Sequence, residues 1–223
     1  MPSRADFHCH STLSDGQLSP PEVMQRAMVK GYRVMAITDH SGLGFLERFA
    51  RELAEDCANA RRYWGLTVLP GVELTHMPPE AINAAAERAK ALGALVIVHG
   101  ESPVEPVPQG TNLAALASPW VDILAHPGMI TEEEARQAAR QGIFLEISAR
   151  RGHSLTNGHL VSMARRAGAP LLVNSDAHAP EDLLTPEGAL LVARGAGLSE
   201  EESLLVLEQN PLRLLQRLNV GLP

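Results

Sequence analysis

The sequence predicts an α/β protein folded as a distorted (β/α)7 barrel. Short apolar runs alternate with helical segments along all 223 residues. The runs are apolar enough to lie in a parallel sheet covered by helices. Polar side chains of one chemical kind recur where the runs end. A closed barrel and a doubly wound open sheet both satisfy the alternation. An open sheet spreads its strand ends along an edge, about 5 Å per strand, whereas a barrel gathers them on one rim. Shared chemistry at the strand ends favours the barrel, and seven runs make it a relative of the eight-stranded form.

The first run, "ADFHCH" (5–10), ends in His8 and His10. Strand alternation turns these two to one face and Phe7 and Cys9 to the other. Asp15 follows in a loop where Gly16 supplies a turn. Ser19, Pro20 and Pro21 open a helix that Gly31 stops. "RVMAITDH" (33–40) ends in His40, beside Asp39, which is expected to point away and orient a neighbouring ligand. "LTVLPGVEL" (66–74) carries Glu73, and Gly93 stops the helix that follows. "ALVIVHG" (94–100) carries His99. Behind it the proline-rich "ESPVEPVPQGTN" either walls a pocket or connects to a helix capped by Thr111. "VDILAHPG" (121–128) carries His126, and Thr131 with Glu134 has capping-box spacing. "IFLEIS" (143–148) places Glu146 near the rim, before a loop with Arg150, Arg151 and His153. Gly168 stops the next helix. "PLLVNSDAH" (170–178) ends in Asp176 and His178. Ser199 and Glu202 form a second capping box, and the C-terminal stretch has an apolar helical face suited to packing on the barrel.

Composition narrows the function. Nineteen Lys and Arg against 26 Asp and Glu give a net charge of −7, which argues against nucleic acid as a partner. Two cysteines make no disulfide framework and point to a reducing compartment. "MPSRADFH" lacks a signal-peptide core, and no run is long enough to span a bilayer. The expectation is one cytoplasmic domain over residues 1–223, with no membrane partner.

Six of the nine histidines fall at strand ends, and chance placement explains that poorly. His8, His10, Asp15, His40, Glu73, His99, His126, Asp176 and His178 are therefore the candidate ligands of a multinuclear metal site. Imidazole with carboxylate suits two or three divalent ions of zinc, manganese or iron. Cys9 faces away and packs instead.

Taken together, "DFHCHSTLSDG", "AITDH", "PGVEL", "IVHG", "LAHPG" and "NSDAH" resemble the PHP (polymerase and histidinol phosphatase) superfamily, in order, from residue 6 to 178. The resemblance implies a (β/α)7 barrel with up to three metal ions at the C-terminal rim. It assigns His8, His10, Glu73 and Asp176 to one ion, with Glu73 bridging to a second held by His99 and His126. Asp15, His40 and His178 take a third; relatives often have histidine where Asp15 stands, so that site suits a harder ion. The amidohydrolases also open with His-x-His, but many bridge their metals with a carboxylated lysine. Lys30 and Lys90 both lie in helical stretches, and Glu73 takes the bridging role.

The implied activity is metal-dependent hydrolysis of a small phosphate monoester, histidinol phosphate being the named candidate, with hydroxide on the metals as nucleophile. Arg150, Arg151 and His153 are the expected substrate contacts. Two alternatives stand beside it: a nuclease or cyclic nucleotide phosphodiesterase of the same fold, and a metal-binding regulatory module without catalysis. His76 and His159 lie off the motifs and are expected at the surface or behind the ligands.

Overall fold

The structure is a computed structural model that describes residues 4–221; Met1–Ser3, part of the stretch read for a signal peptide, and the last two residues of the expected domain lie outside the described residues. Seven principal strands form a parallel, nearly closed barrel: β1 (Arg4–Asp6), β2 (Tyr32–Ile37), β4 (Thr67–Leu74), β5 (Leu95–His99), β6 (Ile123–Ala125), β7 (Phe144–Ser148) and β8 (Leu171–Asn174). A two-residue strand β3 (His40–Ser41) pairs with β4. It is the far end of the expected second run, which breaks at Thr38 and Asp39.

Helices cover the barrel from outside. They are α1 (Pro20–Val29), α2 (Leu46–Asn59), α3 (Pro79–Ala91), α4 (Thr111–Ala117), α5 (Glu132–Gln141), α6 (Asn157–Ala167), α7 (Pro186–Gly195), α8 (Glu200–Leu204) and α9 (Asn210–Arg217). Both capping boxes are present, Thr131 with Glu134 and Ser199 with Glu202. Thr111 is the first residue of α4 rather than its cap, a place Gly110 takes. The C-terminal stretch is not one helix: a π turn over Leu205–Gln209 separates α8 from α9, and Pro211 then stands in the first turn of α9. Its apolar face does pack on the barrel. Leu214 and Leu215 join Ala5, Val34, Leu69, Leu95 and Phe144, which lie near the strand starts, in one buried cluster.

The seam between β1 and β8 is closed by side chains and a single bridge. Cys9 pairs with Ala177, and His10 N–H donates to Ala177 O at 2.8 Å. Asp6 accepts from the Ser175 N–H at 3.1 Å and the Tyr32 hydroxyl at 3.2 Å. It also pairs with the buried Arg4 at 3.0 Å. Phe7 and Cys9 do not share a face. Phe7 packs inside with Ala5 and Ala36, whereas Cys9 packs outside with Val23 and Met24 of α1. The ladder stops at Asp6, so strict alternation does not extend through residues 7–10.

Two other strands stop short of their expected ends, and both stop at candidate ligands. His126 has φ +26° and Asp176 φ +53°. Non-glycine residues in this region are uncommon, and the strain collects at functional sites. The turned backbone ends β6 and β8 just before these side chains.

Candidate metal centre

All nine candidate ligands lie on one rim of the barrel, and Glu73 is at the middle of them. From β4 its Oε1 stands 3.4 Å from His8 Nε2 and 3.5 Å from His126 Nε2. Its Oε2 stands 3.6 Å from His10 Nε2 and 2.7 Å from His40 Nδ1. Asp176 Oδ1 lies 3.4 Å from His10 Nε2 and 3.7 Å from His8 Nε2, and Oδ2 lies 3.7 Å from His126 Nε2. On the outer side Asp15 lies 3.6 Å from His10 and His40 and 3.2 Å from His178. Donor atoms gather into overlapping groups: His8, His10 and Glu73; His10, Asp15, His40 and His178; His8, His126, Glu146 and Asp176; and His99, His126 and His153.

These residues fit divalent ions. Two ligands held about 2.1 Å from one ion stand roughly 3–3.5 Å apart; His8 and His126 to Glu73, His10 to Asp176 and His178 to Asp15 lie in that range, and the rest of these pairs, all but His40 with Glu73, lie just beyond it. Both carboxylate oxygens of Glu73, His10 Nδ1, His99 Nε2 and His126 Nδ1 are buried without a hydrogen-bond partner. Leaving such groups unpaired is costly, so the cluster is built for something that binds them.

Outer contacts fix which histidine nitrogen faces inward. His8 Nδ1 pairs with Glu146 Oε2 at 2.8 Å, and Asn174 donates to the same oxygen at 2.8 Å. His99 Nδ1 pairs with Gly100 O at 2.9 Å and His178 Nδ1 with Asp176 O at 3.0 Å. With each Nδ1 donating, the Nε2 lone pair is left for a ligand role. Asp39 acts one step further out. It accepts from the N–H and hydroxyl of both Ser11 and Ser14, so it shapes the loop that carries Asp15 instead of touching a ligand ring. Gly16 belongs to the same loop. A Cβ there would stand 2.6 Å from the His10 backbone, so the position demands close approach.

The electrostatics are those of charges held close together. Burial pushes the Glu73 carboxyl up, but facing His8 and His40 hold it well below its usual range. Burial raises Asp176 to about 6 in spite of neighbouring His8 and His126. Burial and the adjoining His40, His178 and His8 hold His10 well below the ordinary imidazole value. His10 is thus neutral, the form that ligates.

A family model described as the PHP domain matches residues 6–118. The chain belongs to the PHP domain family. An uncharacterised protein of Methanocaldococcus jannaschii is 45% identical over 96% of this PHP chain and all of its own length. Ribonuclease P protein component 3 of Methanosarcina mazei is 27% identical over 99% of this chain and 92% of its own. A probable phosphatase of a Thermoanaerobacter strain is 29% identical over 88% and 87%. Among solved structures, one of archaeal ribonuclease P with mature tRNA contains a chain that superposes with a TM-score of 0.68. It is 15% identical and covers 96% of this chain and 89% of its own. Relatives named for an RNA-processing enzyme count against the expectation, drawn from net charge, that nucleic acid is no partner. Among the described residues no helix is long and apolar enough to cross a membrane.

The remaining predicted residues of this PHP domain fall into different places. Arg150 is partly buried, and its guanidinium donates to Asp176 O at 3.4 Å, which puts it at the rim. Arg151 is exposed. His153, expected to touch substrate, is buried and joins the ligand group of His99 and His126. His76 is exposed, and His159 is engaged by the Ile130 carbonyl at 2.7 Å. Lys30 and Lys90 serve the scaffold, the first on the Pro180 and Leu183 carbonyls and the second on Asp122. Sequence reasoning missed Glu105. From the proline-rich loop it reaches within 3.5 Å of both His76 and His99 and 3.7 Å of His153. That loop therefore faces the site, and the only sequence signal was its length and stiffness.

Proposed function

We propose that this PHP protein is a divalent-metal-dependent phosphoesterase that hydrolyses small phosphate monoesters. The observation that carries the reading is Glu73, a buried carboxylate with neither oxygen in a well-formed hydrogen bond and four histidines around it, His40 Nδ1 as near as 2.7 Å. His8, His10, Glu73 and Asp176 would hold one ion, and Asp15, His40 and His178, with His10 adjoining, another. His99 and His126 would hold a further one beside Glu73. Such ions, when bound, acidify water and neutralise charge on phosphoryl oxygens, the compensation that slow phosphate ester hydrolysis requires.

The chain's own groups then prepare the site. Glu146 holds His8 by Nδ1 so that its other nitrogen faces Glu73. Arg150, tethered at the rim by the Asp176 carbonyl, is placed to grip a phosphate. His10 Nε2 stands 3.6 Å from Glu73 and 3.4 Å from Asp176, so the three side chains can turn toward one ion on the floor of the site.

The test is turnover of an aryl phosphate. Metal-stripped protein is expected to be inactive and to regain activity with Mn²⁺ or Zn²⁺, and Glu73→Gln to lose both bound metal and activity. Metal-loaded wild-type protein without turnover across a panel of phosphoesters would remove this reading and favour a regulatory metal-binding module.

The second reading is a subunit that binds RNA in a processing assembly. The end-to-end match to a ribonuclease P component supports it, and gel-shift titration with tRNA tests it. Tight tRNA binding without monoesterase activity would make it the better account. Release of mononucleotides from a short single strand would instead favour a nuclease.

A further inference from the structure

We propose that His153 and Glu105, from two different loops, complete a cation site with His99 and His126, and that Glu105 is the ligand an incoming anion displaces. The inference rests on the metal reading of the rim and adds two ligands to it.

His153 begins a short 3-10 turn after β7 (His153–Thr156). Its ring stacks on His126 with centroids 4.0 Å apart and meets His99 edge-on at 5.8 Å. One donor atom from each of the three rings lies within 4.8 Å of the others. Ser102 Oγ engages His153 Nδ1 at 2.6 Å, which leaves Nε2 for the site. His99 offers a buried Nε2 without a hydrogen-bond partner, its Nδ1 being occupied by the Gly100 carbonyl.

Glu105 Oε2 stands 3.5 Å from His99 Nε2 and 3.7 Å from His153 Nε2. Those separations are long for a charge-assisted hydrogen bond and close to the spacing of two ligands on one ion. Three imidazoles with one carboxylate make a donor set suited to zinc.

The two loops are built as one unit. Gly152 has φ +92°, and a Cβ there would lie 3.0 Å from the Val104 methyls, so Val104 seats against bare backbone beside His153. Glu101 anchors the far end by accepting from the N–H groups of Gly110 at 2.9 Å and Asn112 at 3.1 Å. The Glu105 side chain is nevertheless 37% exposed, against 1% for His99 and His126 and 3% for His153. Of the four, it is the ligand that solvent and solutes reach.

The experiment loads metal-stripped wild type, His153→Ala and Glu105→Gln with Co²⁺ and Zn²⁺. Bound equivalents are read by elemental analysis, affinity by chelator competition, and coordination by the visible Co²⁺ absorption. His153→Ala is expected to weaken one equivalent by about tenfold or more and to leave the others unchanged. Glu105→Gln is expected to keep every equivalent, to alter the Co²⁺ absorption, and to bind inorganic phosphate severalfold more tightly. Glu105 lies on an exposed loop, so that variant tests the proposal even if His153→Ala folds poorly. Variants matching wild type in equivalents, chelator midpoint, spectrum and phosphate affinity would overturn the inference alone. A wild-type protein that takes up no ion would remove the metal reading beneath it.

Discussion

Glu146 has 0% exposure and makes no approach to solvent; its Oε2 is shared between His8 Nδ1 and the Asn174 amide. Its contribution is to hold one imidazole in one tautomer. Glu146→Ala should therefore weaken metal binding about 10–100-fold, measured by chelator competition, while the folded protein persists. Arg150 makes a different prediction. Arg150→Ala removes a charge-assisted contact of about 1.5–3 kcal/mol, so KM for a monoester should rise roughly 10–100-fold with metal content unchanged. Unaltered kinetics would return Arg150 to the surface charges. At this scale the clustering of the eight strand-end candidates was legible, because histidines and carboxylates at the ends of apolar runs have no use in packing; Asp15, in the loop after the first run, was legible only through the resemblance of its motif. His153 was read as a substrate contact rather than as a neighbour of His99 and His126, and Glu105 was not read at all. They sit on loops, where no periodicity says which way a side chain turns.

The elements were legible as to kind and order, less so as to where they stop. The apolar runs at 121–128 and 170–178 continue past β6 and β8, yet the ladders end before His126 and Asp176. Hydrophobic pattern does not encode a positive φ, and it is this turn that lifts both side chains into the site. The second run likewise hides the break at Thr38, whose N–H donates to Cys9 O at 2.8 Å. Asp6 read as part of a strand stub, whereas it ties β1 to β8 and partners a buried arginine. Asp6→Ala leaves Arg4 buried without its partner, and a loss of about 3–5 kcal/mol is expected. Denaturant unfolding measures it; a variant as stable as wild type would show that the seam is held elsewhere.

For the molecule as a whole, net charge was the least informative observation. Glu73, Glu146 and Asp176 are buried in the candidate ligand cluster, so part of the −7 is not surface charge. Two or three divalent ions would add about +4 to +6, which removes most of the argument against a polyanionic partner. Loading also couples the site to pH and to stability. With Asp176 raised by burial to about 6, protons displace ions from it as the pH falls. His40, raised to about 9 by facing Glu73 against the effect of burial, competes for a proton as well, so metal affinity should begin to weaken as the pH falls through about 9 and drop further below about 6, as followed by equilibrium dialysis. Because ions would bind only the assembled rim, Tm should rise with metal and fall on chelation.

The most direct measurement is elemental analysis of the purified protein paired with monoester turnover on the same sample, before and after chelation. Two or three equivalents of Zn, Mn or Fe per chain, lost together with activity and restored together, is the predicted result. Protein that never holds a divalent ion, or that hydrolyses monoesters equally well after the ions are gone, contradicts it.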